Sequence, residues 1–304
     1  MGCITDLPPE LLFRILVHLS IDHLSTFLNC QATCTTFRLL AQDVLSHPPA
    51  PAPASTWPAA RSAEGVDDSR TGPRPRPSSS PNLLLARNFS PLLSSSNCFT
   101  QSERDSVRWF LTLNGDVARP FRRLPWAHDA RARERYLRPG ASWRGLGVTF
   151  GAGPPVTRLD IVKNYSSEDL NEDGRDHVQH LQVDMPAPRG FLTMGLLYDL
   201  LLCGGAVGDE RAATFGGETG SWELLLGARL RSHDLLLEYE CFVKDDEDLV
   251  DRGLDAAQSA ILLVRGGTVD GADQDRRFGE LEDDDVEWVP QILGDMPKIR
   301  LAST

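Results

Sequence analysis

The sequence has six cysteines (Cys3, Cys30, Cys34, Cys98, Cys203 and Cys241) but no C-x-x-C pair and no regular spacing. That pattern excludes a disulfide framework and the common zinc modules, and reads as reduced thiols of an intracellular protein. Positive charge is in deficit: 31 Lys and Arg stand against 43 Asp and Glu, a net charge of -12. A nucleic acid is therefore not expected as the main partner. The longest apolar run, residues 196–203, is interrupted by Asp199 and is too short to span a bilayer. Met1-Gly2-Cys3 is followed by Asp6 where an acylation signal wants Ser or Thr, so no membrane anchor is expected. There is no Gly-x-Ser-x-Gly elbow, and Gly204-Gly205-Ala206-Val207-Gly208 lacks the Lys-Ser/Thr of a phosphate loop. No internal repeat is found. These absences predict a non-catalytic chain with no cofactor and no metal. Hydrophobic residues make up 41%, enough for a real core.

That core begins early. Leu11, Leu12, Ile15, Leu16 and Leu19 fall on one face of a helix, and Pro8-Pro9 occupy first-turn positions whose N–H groups have no intrahelical partner. Ser20 is positioned to cap a second short helix with Leu24, Phe27 and Leu28. A third stripe, Phe37, Leu40, Ala41, Val44 and Leu45, is stopped by His47-Pro48-Pro49. Helices this short cannot bury enough surface alone, so the segment requires a partner surface.

Leu7-Pro8, Glu10-Leu11-Leu12, Ile15-Leu16, Leu19, Leu24 and the closing run Cys34 to Ala41 resemble an F-box. The resemblance implies a three-helix motif over residues 1–47 that docks on a Skp-type adaptor, itself held by a cullin scaffold of a ubiquitin ligase. The adaptor-binding residues would be Leu7, Pro8, Leu11, Leu12, Ile15, Leu16, Leu19, Leu24, Phe37 and Leu40.

Residues 48–82 are Pro, Ala, Ser and Arg with almost no aliphatics, including Arg74-Pro75-Arg76-Pro77, and read as a disordered linker. Apolar residues return from Leu83. Val107, Phe110 and Leu111 have helical spacing, and a basic stretch follows in which Arg119, Arg122, Arg123, Arg131, Arg133, Arg135, Arg138 and Arg144 interleave with Phe121, Trp126, Tyr136 and Trp143. Such a stretch can bind a nucleic acid backbone, pack over acidic parts of the same chain, or face a protein target. The second or third use suits this acidic chain, and Arg135, Tyr136, Arg138 and Trp143 are the candidate target-binding residues.

Strand-like segments follow at residues 143–150, 156–162, 178–183, 222–226, 235–243 and 261–264. Residues 193–203 read as a buried helix capped by Thr193. Residues 83–304 are thus expected to form an α+β domain with a largely antiparallel sheet and to recognise the target. The blocks Arg135-Tyr136-Leu137-Arg138-Pro139, Thr157 to Val162, Thr193-Met194-Gly195-Leu196 and Glu218-Thr219-Gly220-Ser221-Trp222 resemble fungal F-box proteins. That likeness brings no established activity with it.

Two constellations fall short of chemistry. Asp169-x-Asn171-x-Asp173-Gly174 opens like a calcium loop, but His180 stands where a bidentate Glu is needed. His177 and His180 have helical spacing in a stretch that reads as strand, with no third zinc ligand. The carboxylate runs at residues 245–248 and 282–285 read as solvated faces. The sequence therefore predicts a substrate-recognition subunit of a Skp–cullin–F-box ligase acting in the cytoplasm or nucleus. Two alternatives stay open: an enzyme with a dispersed site around Asp160, His177 and His180, and an F-box scaffold without a role in ubiquitination.

Overall fold

The computed structural model describes residues 4, 7–47, 79–106, 113, 117–138, 140–166, 176–203, 219–231, 255, 257–266, 288–295 and 297–301. The chain opens with three helices, α1 (Pro9–Asp22), α2 (Leu24–Cys30) and α3 (Thr35–Ser46). Pro9 takes the first helical position of α1, where its missing N–H costs nothing. Ser20 does not cap α2. It lies inside α1, where its hydroxyl donates to the Val17 carbonyl at 2.7 Å, so the first helix continues to Asp22. α3 ends at Ser46 ahead of the prolines, as its sequence predicts.

Leu12 and Leu16 of α1, Leu24 and Phe27 of α2, and Phe37, Ala41, Val44 and Leu45 of α3 are buried together. This small core is continuous with that of the rest of the chain, and Phe27 stacks on Phe150 with ring centroids 6.3 Å apart. The three helices are therefore packed on the second region.

The second region starts before Leu83. Ser79 and Asn82, expected at the end of the linker, are both buried. The Ser79 hydroxyl donates to the Ala257 carbonyl at 2.7 Å, and the Asn82 side chain caps α4 by accepting from Leu85 N at 2.8 Å. Two buried polar side chains with partners fix the chain where composition suggested only spacer.

Short helices α4 (Leu83–Asn88), α5 (Ser90–Leu93), α6 (Gln101–Ser106), α7 (Arg119–Arg122) and α8 (Ala130–Leu137) precede the sheet, and α9 (Met194–Cys203) follows its second strand. Thr193 caps α9 as expected, its Oγ1 accepting from Leu196 N at 3.2 Å. α6 starts with a reciprocal cap: Thr100 N donates to Glu103 and Glu103 N to the Thr100 hydroxyl.

Strands β1 (Arg158–Ser166), β2 (Asp176–Val183), β3 (Thr219–Leu226), β4 (Ser259–Gly266) and β5 (Ile299–Leu301) form a sheet in the order β3-β4-β1-β2-β5. β1–β2, β2–β5 and β3–β4 are antiparallel, and β1–β4 is parallel. The α+β class with a mostly antiparallel sheet is therefore observed. Side chains alternate across it. Leu159, Ile161, Trp222, Leu224, Leu226, Ala260, Leu262 and Val264 join the main core, whereas Val162, Leu225 and Ile261 form a separate cluster with Leu230 and Leu263.

Residues 143–150 do not form the expected strand. Ser142–Gly145 is a 3-10 turn, and Gly147 makes only an isolated bridge with Thr193. Leu146, Val148 and Phe150 are buried, but their backbone is satisfied singly, through Leu146 O with Met194 N, Val148 N with Leu192 O and Val148 O with Asn82 N. Alternating apolar residues here mark burial without a ladder. The segment at 235–243, the calcium-loop-like residues 169–174 and both acidic runs lie outside the described residues.

Candidate functional site

α1 has two apolar faces. Leu12 and Leu16 point into the core, Leu16 with no exposure, while Leu11 is 46% and Ile15 36% exposed. Leu7, Leu11 and Ile15 are spaced by four residues, so they form one ridge along the outer face, with exposed Ile4 ahead of them and Pro8 also at the surface. Leu39 on α3 is 66% exposed. Scattered exposed leucines are ordinary, whereas these lie one turn apart and form a continuous apolar strip on a helix already anchored on its other face.

The ten residues expected to bind an adaptor therefore divide. Leu7, Pro8, Leu11 and Ile15 are exposed, and Leu19 and Leu40 are half-buried. Leu12, Leu16, Leu24 and Phe37 are buried inside the chain itself. The physical reason is that the apolar arc of α1 is wide enough to serve an internal core and an external ridge, and sequence spacing does not separate the two. Ile4 and Leu39 were missed because neither continues a stripe.

The basic stretch divides as well. Trp143 is 4% exposed and donates its indole N–H to the Tyr136 carbonyl at 2.7 Å. Tyr136 is half-buried, stacked on Trp126 at 4.8 Å between centroids, and its hydroxyl accepts from Asn88. Phe89 sits among Trp126, Tyr136 and Trp143. The two aromatic target-binding candidates are thus core residues in this fold. They join the same core cluster as Leu85, Leu124 and Leu146, with the ring pairs adding edge and stacked contacts.

Some arginines are also internal. Arg123 pairs with Glu103 at 3.1 Å, Arg144 pairs with the buried Asp199, and Arg133 lies over the Trp288 ring at 5.8 Å. Burial alone would raise the Glu103 pKa. The backbone and hydroxyl of Thr100, with Arg123, outweigh it and hold the carboxyl below its usual value. Arg131, Arg135 and Arg138 remain exposed, at i, i+4 and i+7 along α8 and its end, and none is in an ion pair among the described residues. Arg135 Nε donates to the Arg131 carbonyl at 3.3 Å. Arg135 and Arg138 therefore keep the surface position expected of them, and Arg131 joins them.

The sheet does not bring all three residues of the dispersed catalytic reading to one face: the register places Asp160 opposite Gln182 and His180 opposite Val162, two positions apart on the same face, whereas His177, opposite Tyr165, falls on the other. Asp160 is bound to Arg158 at 2.8 Å. Tyr198 is fully buried. Burial, with the charge of Asp199, raises its pKa further from neutrality. Among the described residues no group of three His, Cys, Asp or Glu is placed to hold a metal ion, and no helix is long and apolar enough to cross a membrane.

Residues 4–47 match the family model described as F-box-like. The match covers α1, α2 and α3 with the exposed ridge, so these helices form an F-box-like domain. Comparison with curated proteins and comparison with solved structures each return no significant match.

Proposed function

We propose that the chain is a substrate-recognition subunit of a Skp–cullin–F-box ubiquitin ligase, working in the cytoplasm or nucleus. The observation that carries this reading is the coincidence of the F-box-like match with an apolar ridge, Leu7, Leu11 and Ile15, left uncovered after α1 has filled its own core. Such domains are typical of non-catalytic adaptor subunits. The ridge takes the Skp-type adaptor, and the adaptor takes the cullin.

The C-terminal domain holds the target. Its outward arginines Arg131, Arg135 and Arg138, in no ion pair among the described residues, present cations on a chain of net charge -12, which suits an acidic protein surface and steers its approach. The mechanism is proximity: holding a target beside the ubiquitin-charged enzyme raises its effective concentration with no bond made or broken by this chain. Phe27 stacked on Phe150 supports that mechanism, because it ties the adaptor-facing helices to the target-facing domain.

Co-purification tests the assignment. Adaptor and cullin together in the eluate support it, adaptor without cullin indicates a scaffold, and neither refutes it. Proximity labelling with the full chain and with the triple variant Arg131→Ala, Arg135→Ala, Arg138→Ala tests the target face. Acidic neighbours should drop out while adaptor and cullin persist, and an unchanged set of neighbours refutes the arginine face.

A further inference from the structure

The sheet ends on one side at β3, and that edge is only partly closed. Ser94 makes an isolated antiparallel bridge with Glu223, and Trp222 N donates to the Ser95 hydroxyl at 3.0 Å. The second bond fixes the parity of the strand. Backbone groups along a strand turn alternately to its two sides, so Trp222, Leu224 and Leu226 turn theirs away from β4, and Glu223 and Leu225 turn theirs toward it. A bridge centred on Glu223 uses the outward groups that flank it, the Trp222 carbonyl and the Leu224 N–H. Next along the edge come the Leu224 carbonyl and the Leu226 N–H. Among the described residues, no hydrogen bond from outside the sheet reaches either.

The cause is local. Leu93 would stand opposite Leu224, but it is the last residue of α5, so the segment that pairs with Glu223 curls away from the strand there. A groove of about 460 Å³ lies beside Leu224 and Leu226, and Leu93, Ser96, Ser80 and Pro81 form its other walls. The side chains of Leu224 and Leu226 are packed in the main core, so the strand edge is what they offer the groove. The wall at Ser80-Pro81 is held on both sides, by the Ser79 bond to Ala257 and by the Asn82 cap of α4. The two charged residues of the lining, Glu223 and Arg229, are paired with each other.

We propose that this groove binds an extended peptide segment of a partner protein, which adds to the β3 edge through the Leu224 carbonyl and the Leu226 N–H. A carbonyl and an N–H turned the same way on a strand edge are met by another backbone, and the peptide continues the pairing that Ser94 begins. Because Ser80 and Pro81 wall the groove as well as β3, it takes a lone strand and not the sheet edge of a second copy. Recognition is by backbone, so the peptide must carry an N–H where it meets Leu224, and proline is excluded at that position. This contact goes beyond the ligase reading, and its test needs neither adaptor nor cullin.

The probe is a phage-displayed library of random linear heptapeptides, selected on the immobilised full chain. Enrichment is expected, and the strongest peptide, made synthetically, should bind saturably in fluorescence anisotropy. N-methylation of its backbone, one residue at a time, should find a position where affinity falls about tenfold or more, because the Leu224 carbonyl is left unmet. Ser80→Trp, which sets an indole in the groove from an exposed position, should abolish binding. Hydrogen exchange on the unaltered chain does not depend on that variant folding: the peptide should slow exchange of the Leu226 amide at least about tenfold. No enrichment, an N-methyl scan without a sensitive position, or an unchanged Leu226 amide overturns the groove. So does binding that survives in folded Ser80→Trp, or that disappears with the triple arginine variant of α8, since such peptides sit elsewhere.

Discussion

Leu16→Ala and Ile15→Ala, neighbours in sequence, should fail in opposite ways. Leu16 is fully buried between α1 and the other helices, so truncation removes its transfer energy and leaves a cavity, a loss of about 2–5 kcal/mol in stability. Ile15 is 36% and Leu11 46% exposed, so truncating either costs the folded chain much less. The surface still open on each side chain is roughly 60–90 Å², worth about 1.5–2 kcal/mol when a partner covers it. Removing one should weaken adaptor binding by roughly ten- to thirtyfold with little change in stability. Ile15→Asp should go further, since the contact would then bury an unpaired carboxylate. Urea unfolding followed by tryptophan fluorescence reads the first quantity, and titration of purified adaptor reads the second. Leu16→Asp, which a single-stripe reading of the sequence would select, is the wrong probe because it unfolds the domain and loses binding for that reason alone. Wild-type affinity in Ile15→Asp, or Leu16→Ala that keeps its stability but loses the adaptor, would refute the two-face assignment.

Asp199→Ala should cost about 3–5 kcal/mol in urea unfolding, because it strands Arg144 without its partner in a site where the two side chains are 14% and 2% exposed; a loss below 1 kcal/mol would show that water replaces the carboxylate. Phe27→Ala removes the ring stacked on Phe150 and should cost about 3–5 kcal/mol while making the seam cleavable by limited proteolysis; unchanged proteolysis would deny that this contact joins the two regions. Burial pushes the Cys98 thiol from 9.0 up to about 12, so stability is intact below pH 9 and falls from pH 9 to 12, as the unfolded thiol ionises and the folded one does not. Cys98→Ala should flatten that slope in stability-against-pH curves, and native Cys98 should label far more slowly than the half-buried Cys30 and Cys34.

What the sequence revealed followed from short-range periodicity. The start of α1, the end of α3, the Thr193 cap of α9 and the strands around Ile161 and Ile261 depend on residues a few positions apart, and all were legible. What it hid depends on distant partners. Ser79 is an ordinary linker serine until Ala257 accepts its proton, and Val148 looks like strand until Leu192 and Asn82 take its backbone groups. The candidate sites fail and succeed on the same ground. Tyr136 and Trp143 have the chemistry of a binding surface, and only the arrival of Phe89 and Tyr198 from elsewhere in the chain makes them core.

That distinction also decides how an acidic protein comes to carry an arginine-rich segment. Were all the arginines internal counter-charges, each would be expected beside a carboxylate, as Arg123 is beside Glu103 and Arg144 beside Asp199. α8 departs from this. Its N-terminus is capped by Asp129, its inward Arg133 rests on Trp288, and its aromatic Tyr136 anchors it in the core, so the helix is held without help from Arg131, Arg135 or Arg138. Three cations repeated along one exposed face repel one another, a cost of a few tenths of a kcal/mol per neighbouring pair that folding does not require. A partner that arrives with negative charge would relieve that repulsion, which is why the proposed target face is put on these arginines and not on the packed aromatics Tyr136 and Trp143.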